Sequence, residues 1–156
     1  MDNGERGFSN RFYMKKYLLA LIIVLIPLGI FLFGSTLTNY FVSDDFVWLL
    51  HAKHDTFFDY SRYLIDSQGF FYRPFTKMYF FWMWRWFSVD PYPYHVVSVS
   101  LHGINAILVY VLSFSLLQIF FRKSSEHKKA LFSFVSAILF FIHPIQQENI
   151  LWISAV

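Results

Sequence analysis

From Tyr17 to Leu37 the chain runs 21 residues, YLLALIIVLIPLGIFLFGSTL, without one Asp, Glu, Lys or Arg. A helix of that length reaches about 30 Å at about 1.5 Å per residue, the thickness of a bilayer's hydrocarbon core. It is apolar on every face, so it has no polar side to offer water. Lys15 and Lys16 stand just before it. A cleaved signal peptide also begins with a basic flank, but its apolar core is about 7–15 residues long and ends at a small-residue cleavage site. The run exceeds that length and no A-x-A site follows, so it reads as a retained signal-anchor. Pro27 is expected to kink this helix, which membrane helices tolerate better than soluble ones.

Two further runs follow. Pro93 to Phe121 is 29 residues with no formal charge, and Ala130 to Ile142 adds 13 before His143-Pro144. Composition agrees: 56% of residues are hydrophobic and 15% are charged. A soluble domain carries about 25% charged residues to keep its surface wet. The chain therefore reads as an all-α integral membrane protein of about three transmembrane helices. Disorder is excluded by the same composition. With no cysteine, disulfides, zinc–thiolate sites and a cysteine nucleophile are excluded as well.

Charge placement sets the expected topology. Of 13 Lys and Arg, four lie in residues 1–16 and four in Arg122–Lys129, whereas residues 34–92 hold five against six Asp and Glu. By the positive-inside rule the amino terminus and the 122–129 loop are cytoplasmic. The expected order is a cytoplasmic tail 1–16, a first span 17–37, an outer loop 38–92 and a second span 93–121. A cytoplasmic loop 122–129, a third span 130–144 and an outer segment 145–156 complete it. Residues 70–87 hold 11 aromatics in 18 positions. As a fourth span they would carry Arg73, Lys77 and Arg85 into lipid and put the basic loop outside. Trp and Tyr prefer the headgroup level, so we read this stretch as a helix lying in the outer interface. Ser88-Val89-Asp90-Pro91 then turns the chain back.

That topology delivers Asp44, Asp45, Arg73 and His143 to the outer face. Charged groups near a bilayer are costly and point to function. One carboxylate of a pair can act as general base on a hydroxyl while its neighbour orients the acceptor or shifts its pKa. Adjacent residues need not face the same way, so one of Asp44 and Asp45 can be structural, and an Asx turn or helix cap before Phe46-Val47-Trp48 is the plainer reading of both. Arg73 in Tyr72-Arg73-Pro74 offers a fixed-charge fork suited to phosphate, beside a rigid proline; an arginine anchoring in the headgroups is its plainer reading. His51 and His54 stand at a metal-ligating spacing, but no further ligand accompanies them, and an exposed polar loop is preferred. His95, His102 and Asn105 share one face of the second span, a stripe read as helix packing. No P-loop, dinucleotide fingerprint, nucleophile elbow or basic nucleic-acid surface occurs.

In order, the chain has a first span, an outer Asp-Asp followed by Phe46, and Phe71-Tyr72-Arg73-Pro74-Phe75 before an aromatic helix. A Tyr94-His95 through Asn105 span and His143-Pro144 through Ser154 (HPIQQENILWIS) follow. That series resembles the amino-terminal part of polytopic GT-C-type glycosyltransferases, in particular the transmembrane, tetratricopeptide-containing O-mannosyltransferase-like proteins and their bacterial relatives. The matching stretches cover most of residues 39–156. The resemblance implies a membrane enzyme that takes a sugar from a polyprenyl-phosphate-linked donor and passes it, usually with inversion, to a hydroxyl of a protein or glycan acceptor. It places the general base at Asp44 or Asp45 and makes Arg73, beside Tyr72, a candidate for the lipid phosphate. His143 and Glu148 would line or support the same outer cavity. No metal, cofactor or nucleic acid is expected, and a bacterial cytoplasmic membrane is favoured, with the endoplasmic reticulum second.

Such enzymes have many more spans than three. The chain stops inside an apolar stretch at Ser154-Ala155-Val156, so it reads as an amino-terminal piece of a larger protein that need not act alone. Two other classes compete: a non-enzymatic membrane module assembling through its aromatic and His/Asn faces, and part of a transporter using the outer acids as a substrate path.

Overall fold

The computed structural model describes residues 3–53, 57–65 and 72–155. Among them the chain is all-helical, with no strand. Seven α-helices are described: α1 (Asn3–Phe33), α2 (Asp44–Ala52), α3 (Phe57–Ile65), α4 (Pro74–Phe87), α5 (Pro91–Phe120), α6 (Glu126–Ile142) and α7 (Gln147–Leu151). Short 3₁₀ turns at Gly34–Thr38, Pro144–Gln146 and Ile153–Ala155 join or end them. Two stretches, Ser9–Thr38 and Pro91–Phe120, are long and apolar enough to cross a membrane. Against the expected spans, α1 begins well before Tyr17 and continues through Pro27, and α6 has 17 residues, about 25 Å of helix.

The chain divides into two compact units, residues 1–34 with 99–146 and residues 35–98 with 147–156. In the first, α1 packs along α6. Leu21, Leu25, Gly29 and Phe33 recur every fourth residue on α1 and are buried. Beyond Lys16 the other faces of the helix are apolar and largely exposed, as at Ile23, Ile26, Ile30 and Phe31. The facing side of α6 is Ala130, Ser133, Ala137 and Phe141, also buried. Small residues on this face let the two helix backbones approach closely. A Cβ built on Gly29 would meet the Phe141 ring at 3.4 Å. Ser125 caps α6 by accepting from the Lys128 N–H at 3.4 Å. Pro144 ends the helix, because the residue before a proline is driven to extended backbone, and His143 adopts φ −67°, ψ 127°.

The second unit is built on aromatics. Phe41, Leu49, Ala52, Phe80, Met83, Tyr94 and Ile153 form its core, with Trp48, Tyr79 and Trp84 packed against it. Trp48 stacks on Phe80 at 5.9 Å, and Phe41 meets Tyr94 edge-on at 5.1 Å. Pro74 opens α4 at a position where its missing N–H costs no helical bond. The expected interfacial helix 70–87 is thus helical from Pro74; residues 70–71 lie outside the described residues. Thr76, Lys77, Phe80, Phe81 and Met83 face inward on α4, whereas Phe75, Met78, Trp82 and Trp86 form an exposed apolar stripe. The anticipated turn at Ser88–Pro91 is present: the Asp90 N–H donates to the Phe87 carbonyl at 3.0 Å, and Asp90 Oδ1 accepts from the Tyr92 N–H at 3.1 Å.

Candidate functional site

Asp44 and Asp45 open α2, and neighbouring residues on a helix point about 100° apart. The chain enters this helix through a tight turn in which the Asp45 N–H donates to the Val42 carbonyl at 3.1 Å. Ser43, the first central residue of that turn, has φ 49°, ψ −110°. This is the geometry of a type II′ turn, where glycine is usual. Ser88 repeats it at φ 51°, ψ −121°. These two serines are the positive-φ non-glycine residues of the described chain.

The turn separates the two acids. Asp45 is 1% exposed, and both its oxygens are engaged. Oδ2 accepts from the Val42 N–H at 3.0 Å, and Oδ1 accepts from the buried Ser154 N–H at 2.8 Å. It closes the turn onto α2 and ties α2 to the Ile153–Ala155 turn. Asp44 is exposed, its Oδ1 accepting a long 3.4 Å bond from the Ser43 hydroxyl. Asp44 therefore keeps acceptor capacity for an incoming group, and Asp45 has little.

The other expected site residues fall as follows. Tyr72 and Arg73 are exposed just before α4, with the Arg73 carbonyl accepting from the Lys77 N–H at 3.0 Å. Glu148 is exposed in the first turn of α7. All three share the second unit with the acid pair. His143 belongs to the first unit, where its Nδ1 accepts from the Ile145 N–H at 3.2 Å and opens the Pro144–Gln146 turn. His51 is exposed on α2; His54 lies outside the described residues.

The histidine stripe on α5 resolves into separate fasteners. His102 Nε2 donates to the Phe141 carbonyl at 3.0 Å, satisfying a group that the end of α6 leaves unpaired. Its ring stacks on Phe141 at 4.9 Å and meets Phe33 edge-on at 5.9 Å. His95 is fully buried, with Nε2 3.2 Å from the Asn39 carbonyl and Nδ1 without a partner. Asn105, placed by spacing on the same face, is exposed.

Two inward-facing groups of α4 were not singled out from sequence. Lys77 is buried, and its spacing of three and four residues from Phe80 and Phe81 is the signal that puts it on their face. The Tyr79 hydroxyl donates to the Tyr94 carbonyl at 3.2 Å. Burial holds its pKa well above the ordinary tyrosine range, so it remains a donor. No protein-family model, curated protein or solved structure matches this chain.

Proposed function

We propose that the protein is a membrane-embedded glycosyltransferase of the GT-C type, using a polyprenyl-phosphate-linked sugar and Asp44 as general base. The observation that carries this reading is the division of labour at the start of α2. Asp45 is committed to the fold through both oxygens, which leaves Asp44 exposed with acceptor capacity beside it. The ordered motifs supply the reaction class. The acceptor oxygen attacks the anomeric carbon while its proton passes to Asp44. The bond from that carbon to the phosphate oxygen breaks, and the polyprenyl phosphate leaves with the electron pair. Such in-line displacement is accelerated chiefly by positioning and by stabilising charge on the leaving phosphate. Arg73 is the group assigned to that phosphate, with Tyr72 and Glu148 nearby in sequence or on the same unit.

The membrane arrangement that fits runs outward through α1, inward through α5 and outward through α6. The exposed apolar circumference of α1 supports it, as does the basic loop at 122–129. Of the 17 residues of α6 the first four are Glu126, His127, Lys128 and Lys129, so its apolar part is 13 residues, about 20 Å, and as a span it needs local thinning of the bilayer. The exposed Phe75, Met78, Trp82 and Trp86 stripe gives α4 the side an interfacial helix buries among headgroups.

The test is sugar transfer from radiolabelled polyprenyl-phosphate mannose, with glucose and galactose donors alongside, in membranes carrying the protein. Asp44→Asn should lower the rate by about 10²–10⁴-fold, the range of a lost general base, with membrane insertion unchanged. A correctly inserted variant that transfers at the wild-type rate removes Asp44 from the mechanism.

A further inference from the structure

Where α5 ends and α6 begins, the first unit carries an open groove of about 530 Å³, within the range of small-molecule sites, about 300–1,000 Å³. Leu116, Leu117, Phe121 and Phe132 wall it, and Ser124 and Lys128 stand at its loop end. The charges there are unequal. The loop 122–129 contains Arg122, Lys123, Lys128 and Lys129 against one acid, Glu126. That acid is already used: Lys129 Nζ donates to Glu126 Oε1 at 2.9 Å and to Gln118 Oε1 at 3.0 Å. Gln118 also bonds Glu126 and, at 2.9 Å, Asn10 Oδ1. A closed network of four side chains therefore neutralises Lys129 and consumes Glu126. Arg122, Lys123 and Lys128 stay exposed, and among the described residues no carboxylate pairs with them.

We propose that this groove binds one anionic phospholipid. An acyl chain lies along Leu116, Leu117 and Phe132, and the headgroup phosphate is held by Lys128 and the Ser124 hydroxyl, with Arg122 and Lys123 adding to the local field. An apolar channel with the unmatched Lys128 at its end, and Arg122 and Lys123 exposed in the same loop, is complementary to a molecule that is apolar along its length and anionic at one end. Basic pockets between spans on the cytoplasmic side take such headgroups. A zwitterionic lipid offers the same chain and no net charge, so the loop selects against it. The site rests on the membrane reading of α5 and α6 and is independent of the sugar-transfer chemistry.

The experiment reconstitutes the full chain in nanodiscs of phosphatidylcholine and phosphatidylglycerol in equal amounts and counts retained lipids by native mass spectrometry. The wild type should keep one phosphatidylglycerol in preference to phosphatidylcholine. Lys128→Glu changes the local field by two unit charges and should reduce that preference by about 30-fold. Ser113→Trp, which fills the far end of the groove and leaves the cations alone, should lower retention of both lipids. Equal retention of the two lipids by the wild type, or a preference that neither variant alters, overturns the site. Displacement by glycerol phosphate as readily as by phosphatidylglycerol overturns the acyl-chain part and leaves a bare phosphate site. Alkaline carbonate extraction is run alongside. Release of the chain from membranes removes the membrane reading and the site with it, whereas a carbonate-resistant chain without lipid preference overturns the site alone.

Discussion

Replacing Asp45 by Asn exchanges one carboxylate oxygen for an NH2 group and changes almost nothing in size. In the wild type both oxygens accept from backbone N–H groups, at 3.0 Å from Val42 and 2.8 Å from Ser154. The amide can satisfy one of these and must turn a donor toward the other. A hydrogen bond to a charged acceptor contributes about 1.5–3 kcal/mol, and a buried N–H left unpaired costs about 1–3 kcal/mol. The amide will point its oxygen at Ser154, whose bond is buried, and leave the part-buried Val42 N–H to partial hydration. The expected loss is therefore about 2–4 kcal/mol. Asp44→Asn, an exposed change, should stay within about 0.5 kcal/mol. All five tryptophans (48, 82, 84, 86 and 152) lie in the second unit, so denaturant unfolding in mild detergent followed by Trp fluorescence reports that unit directly. The assignment of Asp45 as a fold-holding residue is refuted if the two Asn variants unfold at the same denaturant concentration.

Three further outcomes are expected. Gly29→Ala should be tolerated, since the Phe141 ring tip at 3.4 Å needs to shift only slightly, whereas Gly29→Leu should cost about 1–3 kcal/mol by overpacking α1 on α6, read by thermal aggregation in detergent. Ser88→Gly should stabilise the second unit by about 0.5–1 kcal/mol, because φ 51° costs serine more than the added freedom of an unfolded glycine, and a loss of stability on this change would contradict the turn geometry. Tyr79→Phe removes a hydrogen bond and should be the less stable protein at pH 8. The raised folded pKa of Tyr79 means that its stabilisation is complete below the unfolded value of about 10 and is lost as pH rises above it, so the wild type's advantage should shrink by about 1 kcal/mol between pH 10 and 11. A constant difference across that range would show that Tyr79 is not protected.

Much of the architecture was legible along the chain because its causes are local. Two of the three apolar runs form helices long and apolar enough to cross a membrane. The boundaries were less legible: α4 starts at Pro74 and α5 at Pro91, where the expected helix begins at residue 70 and the expected span at Pro93, and α6 ends before His143-Pro144, because proline fixes its own φ and restricts the residue before it. The aromatic stretch reads as a helix, and the 3.6-residue period is what divides the buried Phe80 and Phe81 from the exposed Trp82 and Trp86. The candidate acids were also visible, as a pair.

What the sequence could not decide was which member of that pair is free. Asp44 and Asp45 have the same chemistry and adjoining positions, and their fates diverge because the Ser154 N–H, 109 residues away, arrives against one of them. The same reason governs the histidines. His102 is a fastener because the end of α6 brings the Phe141 carbonyl to its Nε2, and Asn105, three residues on, faces outward because no element covers it. Lys129 is buried among Asn10, Gln118 and Glu126, whereas Lys128 beside it stays exposed. A one-residue step turns a side chain by about 100°, which parts Asp44 from Asp45 and Lys128 from Lys129. Sequence determines the helix and the set of residues on each face, while burial is settled by partners distant in the chain, and these exist only once the helices have packed.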